Sequence, residues 1–327
     1  MKPIHSRWFV LAAIFLWAAG PAAGAPQPVP CSASVAGDSP LVRATLDRDE
    51  ASVLRLIEKG ADMAQCVTER EVMQLAEPNK RIQYVGGPPE SGYPLIVLLA
   101  VANMPKAVAA LAERAPAQVH ALDPHGNSAL AWASRLFHTE VVDLLLGKGL
   151  DPLQANEKKE TPLSLVMMSR EKSAAKTETV RALIGKVPRD RFFAIGVVDQ
   201  VWTAAYMGDF DTLKVLVEAG VPPHYVAPQG RTALYSAVEA SNLDAVRFLL
   251  DHGALVSTYP YRGQTIFQLA EDNFYRDMPD AQEINRLIQL EREKLVKLGH
   301  NPPGTSPQDW NSRSVMDYMQ FMKDFKW

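Results

Sequence analysis

Cysteine is nearly absent: two residues in a chain of 327. That excludes a small scaffold held together by many disulfides, and no C-x-x-C spacing is present for a redox pair or a zinc site. Long apolar runs are scarce too. Trp8 to Ala19 is the one conspicuous stretch, and it falls well short of the ~20 residues that span a bilayer as a helix. Basic runs are also missing. The formal net charge is −3, and −5 without Lys2 and Arg7 near the start. This gives electrostatic nucleic-acid binding no support. With 47% hydrophobic and 22% charged residues, the mature chain has ample material for a core and no bias towards disorder.

Motifs that carry chemistry are lacking as well. The histidines are His5, His120, His125, His138, His224, His252 and His300, and only His120 and His125 lie near one another. No H-E-x-x-H, Cys/His zinc spacing or calcium loop occurs, nor a G-x-S-x-G elbow, Walker A loop or G-x-G-x-x-G turn. The sequence therefore predicts no catalytic residues, no metal and no cofactor.

The N-terminus has the three parts of an export signal: positive residues Lys2 and Arg7, a short apolar middle, and small residues ending Ala23-Gly24-Ala25. Cleavage after Ala25 is expected, leaving no membrane insertion in the mature protein. The remaining cysteines, Cys31 and Cys66, form an even pair in an exported chain, which predicts a disulfide; two unpaired thiols are the alternative. The organisation expected is a signal peptide (1–25), an N-terminal segment (26–39), a repeat domain (40–302) and a C-terminal tail (303–327).

Repetition dominates the rest. An apolar residue opens each unit, and 33 residues separate Leu130 from Leu163, Val201 from Leu234, and Leu234 from Phe267. Leu163 to Val201 is 38, which places a five-residue insertion in that unit near Glu171 to Glu178. Looser copies open at Leu95 and Leu41, so about seven units result. Three residues after the opener stands alanine in Ala44, Ala133, Ala204, Ala237 and Ala270, small enough for close helix approach. Nineteen after it stands glycine in Gly60, Gly149, Gly220 and Gly253, each following an apolar doublet. Glycine stops a helix there by adopting positive φ. Each unit reads as helix, turn, helix, glycine stop and polar loop.

Gly126-Asn127-Ser128-Ala129-Leu130, Thr161-Pro162-Leu163, Gly230-Arg231-Thr232-Ala233-Leu234 and Gly263-Gln264-Thr265 resemble the G-x-T-P-L-H opening of the ankyrin family. Ser or Thr caps the helix start and Pro fits its first turn. The family's histidine is replaced by Ala131, Ser164, Trp202, Tyr235 and Gln268. The resemblance covers about residues 40 to 300. It implies an all-α ankyrin-repeat solenoid of about seven helix-turn-helix repeats with a C-terminal helical cap, and protein binding without catalysis. Export points to the periplasm of a bacterium. There the resemblance implies either an immunity protein that neutralises a secreted toxin, or an accessory protein supporting an enzyme such as catalase in stress protection. An enzyme is the third and least supported reading.

Register nominates a concave binding stripe at opener plus two, five and six: Trp132, Arg135, Leu136, Leu165, Met168, Thr203, Tyr206, Met207, Ser236 and Glu239. Aromatic, Met and Arg side chains suit the centre of an interface. His125, Lys158, Lys159, Gln229, Arg231 and Arg262 are expected at a polar rim. Two segments depart from the repeat. Thr68-Glu69-Arg70-Glu71 is a capping box opening a short helix to about Glu77, followed by an extended loop from Pro78 to Pro94. Beyond Pro302-Pro303-Gly304, Val315, Tyr318, Met319, Met322 and Phe325 form one apolar stripe, which either caps the last repeat or binds a partner.

Overall fold

The computed structural model describes residues 39–76, 92–192, 196–225, 231–254, 256, 261 and 263–297. The expected signal peptide, Cys31 and the tail stripe lie outside the described residues, as do Gln229 and Arg262 of the expected rim.

The described residues build seven antiparallel helix pairs. In chain order the inner helices are α1 (Pro40–Leu46), α4 (Leu95–Val101), α6 (Ala129–Arg135), α8 (Pro162–Met167), α10 (Val198–Met207), α12 (Ala233–Glu239) and α14 (Ile266–Tyr275). Their outer partners are α2 (Glu50–Glu58), α5 (Pro105–Arg114), α7 (Thr139–Gly147), α9 (Ala174–Ile184), α11 (Phe210–Glu218), α13 (Leu243–Asp251) and α15 (Ala281–Lys297). Each pair packs on the next, so one apolar core runs the length of the stack.

Local chemistry explains the units. Ser128, Thr161, Thr232 and Thr265 cap the inner helices they precede, each accepting from a backbone N–H three residues on. Thr161–Ser164 and Thr265–Gln268 complete reciprocal capping boxes. The openers Leu130, Leu163, Val201, Leu234 and Phe267 are buried, and so are the alanines three residues later in the same helices, Ala133, Ala204, Ala237 and Ala270. The stop glycines Gly60, Gly149, Gly220 and Gly253 all have positive φ, between 78° and 102°. Gly149 has open space where a Cβ would stand, so its requirement is conformational rather than steric.

The insertion in the fourth repeat is shared between a longer inter-helix turn and a longer outer helix, since α9 has 11 residues where α7, α11 and α13 have 9. It brings Lys176 into the stack. Its Nζ lies 2.8 Å from Asp209 Oδ2 and donates to the Ser169 carbonyl at 2.8 Å. Asp209 caps α11, so this buried ion pair joins repeats four and five.

Between the first two pairs, Thr68 and Glu71 form the expected capping box and open α3 (Glu69–Leu75). An antiparallel pairing that the sequence did not disclose joins β1 (Cys66–Val67) to β2 (Tyr93–Pro94), with Cys66 opposite Pro94. It draws the ends of the excursion together, and α4 stacks on α1 despite the 54 residues between their openers. Arg48, in the turn just after α1 at φ 56°, donates to the carbonyls of Leu75 and Ala102 and ties the same elements.

Candidate functional site

Opener plus five is exposed or half-buried in five successive repeats: Arg135, Met168, Tyr206, Glu239 and Asp272. Met168 and Tyr206 are among the exposed large apolar side chains, at 55% and 46%. Arg135 is half-buried; burial pushes its guanidinium down from the ordinary value and the Glu160 carboxylate opposes that shift.

The other nominated positions behave differently. Trp132, Leu136 and Leu165 are buried core residues rather than groove-facing ones, and this corrects the stripe read from register. The reason is the finger loop that precedes α6. Asp123 organises that loop, accepting from the backbone N–H groups of His125 and Asn127 at 2.8 Å each. Its second oxygen accepts from Trp132 Nε1 at 2.9 Å. The indole also meets the Tyr93 ring edge-on at 6.4 Å between centroids. Trp132 thus anchors the finger to the helix. Leu165 and Ser236, at the position equivalent to Trp132 in repeats four and six, are buried too, as is Leu136. Met207 and Thr203 are half-buried.

A cluster that register missed surrounds Tyr206. Arg231 does not stand on a rim. Its guanidinium carbon lies 4.5 Å from the Trp202 ring centroid, 4.9 Å from that of Tyr206 and 5.3 Å from that of Tyr261. One nitrogen donates to Glu239 Oε2 and another to Ser236 Oγ, both at 3.0 Å. Tyr261 packs edge-on against Tyr235 at 5.3 Å. The Tyr235 hydroxyl donates to Gln264 Oε1, whose amide nitrogen donates to Asp272. Trp202 Nε1 donates to Asp199 at 3.3 Å. Repeats five, six and seven therefore contribute to one continuous patch in which a cation is held by rings and a carboxylate. The sequence carried a signal for it: Trp202 and Tyr235 occupy the position of the family's histidine, one residue after the opener and four before the outward one, on the same ridge of the helix.

The arrangement is suited to recognition. Arg231 is already engaged by Glu239, and the exposed faces of Tyr206 and Met168 offer apolar area beside a fixed charge. Among the described residues no group of three or more His, Cys, Asp or Glu is placed to hold a metal ion. No helix among them is long and apolar enough to cross a membrane. Cys66 is fully buried on β1.

Comparison with known proteins places this geometry. The family model "Ankyrin repeats (many copies)" matches residues 201–250, which carry Trp202, Tyr206, Arg231 and Glu239. No curated protein matches the chain. Among solved structures, the chain is similar to the human ASB11 ankyrin repeat domain, with 18% identity, a TM-score of 0.52, and coverage of 78% of this chain and 98% of that one. It is similar to the ankyrin repeat domain of Bcl-3, with 21% identity, a TM-score of 0.53, and coverage of 71% and 94%. An ankyrin repeat domain from Acinetobacter baumannii AYE shares 21% identity with a TM-score of 0.51, over 60% of this chain and 97% of that one. At such identities the likeness is one of fold. Repeat register, helix pairing and these matches together show an all-α repeat solenoid with the fold of ankyrin-repeat domains.

Proposed function

We propose that this chain is a non-enzymatic recognition protein of the periplasm that binds a partner protein across the open face of repeats three to seven. Ankyrin repeats are in general protein–protein interaction modules, and the observation that carries the reading here is the Trp202–Tyr206–Arg231–Glu239 patch with exposed Met168 beside it. Aromatic, Met and Arg side chains at the middle of a surface are the composition of binding hot spots. Arg135 and Asp272 flank the patch with opposite charge, and Met207 adds apolar area next to Tyr206. The export signal read in residues 1–25 supports the compartment. A Cys31–Cys66 disulfide belongs to the same proposal; its support is that compartment and a buried Cys66 that is not a free thiol.

The test is a pull-down from native periplasmic extract with the full mature chain beside a Met168→Ala/Tyr206→Ala variant that keeps its helical circular dichroism. A protein retained by the first and lost by the second establishes recognition through this face and names the partner. Equal retention by both removes the face from the function, and recovery of the chain from the cytoplasm alone removes the compartment.

A further inference from the structure

The terminal repeat has an unusual outer surface. A solenoid's last unit ordinarily turns a polar face to water, because nothing stacks beyond it. Here Phe274, Tyr275, Met278, Leu290 and Val296 are all exposed, Tyr275 by 81%. They belong to α14, to the turn after it and to α15, and with Met168 and Tyr206 they complete the exposed large apolar residues among those described. Phe274 and Met278 line a cavity of about 690 Å³ together with Asp277, Asp280, Glu283 and Arg286. Leu290 lies four residues after Arg286 and seven after Glu283 on α15, which carries the apolar strip along that helix from the cavity. The opposite ridge of α15, with Ile284 and Ile288, is buried against the stack.

We propose that residues 313–326 of the same chain cover this face. Thirty residues follow Lys297, and they contain the stripe Val315, Tyr318, Met319, Met322 and Phe325 at helical spacing. The distance to be covered is the length of α15, roughly 25 Å at ~1.5 Å per residue. The eighteen residues from Lys297 to Val315 reach up to about 60 Å when extended, so the stripe returns to the cavity without strain. Pro302-Pro303-Gly304 supplies the reversal needed just after the helix. Asp277 and Asp280 at the cavity lip are complementary to Lys323 and Lys326 at the end of the stripe. Tethering also favours this occupant over a second copy or another protein, since a segment on a short linker acts at an effective concentration in the millimolar range.

The test uses the full mature chain with Tyr275→p-benzoylphenylalanine, irradiated while dilute and mapped by mass spectrometry. An adduct within one chain between position 275 and residues 313–327 is the expected result. An adduct joining two chains, or none to the tail, overturns the proposal. In parallel, a Met319→Ser/Met322→Ser variant leaves every described repeat intact. Hydrogen exchange of amides 274–290 should become about tenfold faster in it, with new binding of an apolar dye. Unchanged exchange overturns the proposal as well. Neither result depends on what binds at Tyr206.

Discussion

Replacing Lys176 by Met removes one charge from the joint between repeats four and five while keeping the length of the side chain. The ammonium and its partner carboxylate are almost wholly shielded, with side-chain exposures of 1% and 4% at a separation of 2.8 Å. Without it, Asp209 keeps its bond from the Thr212 N–H at 3.3 Å but holds an uncompensated charge away from water. Breaking a buried pair from one side costs about 3–5 kcal/mol. Asp209→Asn costs a similar amount, because Lys176 then retains only the Ser169 carbonyl. The double variant Lys176→Met/Asp209→Asn leaves neither charge, and Asn can still cap α11. Its loss should be about 1–2 kcal/mol, a coupling of several kcal/mol between the two positions. Arg181–Glu178, at 55% exposure on each side, is the control, and Arg181→Ala should stay within about 0.5 kcal/mol. Urea unfolding followed by circular dichroism measures all four. In a stack stabilised by nearest-neighbour contacts, the single variants should also split the transition in two, as repeats on either side of the joint uncouple. A Lys176→Met loss below about 1 kcal/mol, or a double variant as unstable as the two singles added, would refute the reasoning.

Other outcomes follow from the same contacts. Trp132→Phe keeps the ring but leaves Asp123 without its indole donor, at about 1–3 kcal/mol, and Trp132→Ala costs about 3–5 kcal/mol; thermal or urea unfolding reads both. Met168→Ala should change stability by less than about 0.5 kcal/mol, and Tyr206→Ala, which loses a ring contact with Arg231, by about 0.5–1 kcal/mol, while each weakens partner binding by more than about 1 kcal/mol in calorimetry. Hydrogen bonds from Arg286 and Arg247 hold the Glu283 carboxyl down from 4.5 to about 2. The folded value lies below the unfolded one, so the group's contribution is complete above 4.5 and is lost as pH falls through about 2. A carboxyl NMR titration should show this depression, and 1 M salt should relax it, since the Debye length is then ~3 Å. If Cys31 and Cys66 are joined, thiol alkylation will label neither before reduction, and Cys66→Ser will cost about 3–4 kcal/mol for a loop of this length, less any strain.

The repeat was legible because its markers answer to local requirements. A glycine at the end of an outer helix, a Ser or Thr before an inner one, and an alanine where helices touch are each fixed by a few neighbouring atoms, and they recur at one period. The β1–β2 pairing had no such mark. Two-residue strands at Cys66 and Tyr93 carry no alternation to read, and their partners are set by the need to stack α4 on α1 across a long excursion. Lys176 likewise reads as an ordinary charge on an amphipathic outer helix; only the longer turn of repeat four, which shifts the phase of α9, directs it inward towards Asp209.

The binding face shows the same limit at finer scale. On an inner helix, opener plus one and plus five form one ridge, and plus two and plus six form the next. Period alone identifies both ridges as flanking the buried line of openers, and it does not say which one the finger loops fold over. That choice depends on long-range contacts such as Asp123 with Trp132 and Tyr93 with Trp132. These bury the second ridge in repeat three and leave Arg135 on the first. In repeats five and six the first ridge carries Trp202, Tyr206, Tyr235 and Glu239. Three of those four assemble around or beside a single arginine from the intervening finger. An arginine in that place looks like a solvated loop charge in sequence. It becomes the centre of the patch because three rings and a carboxylate from adjacent repeats converge on it, and convergence between repeats is a property of the stack rather than of any one unit.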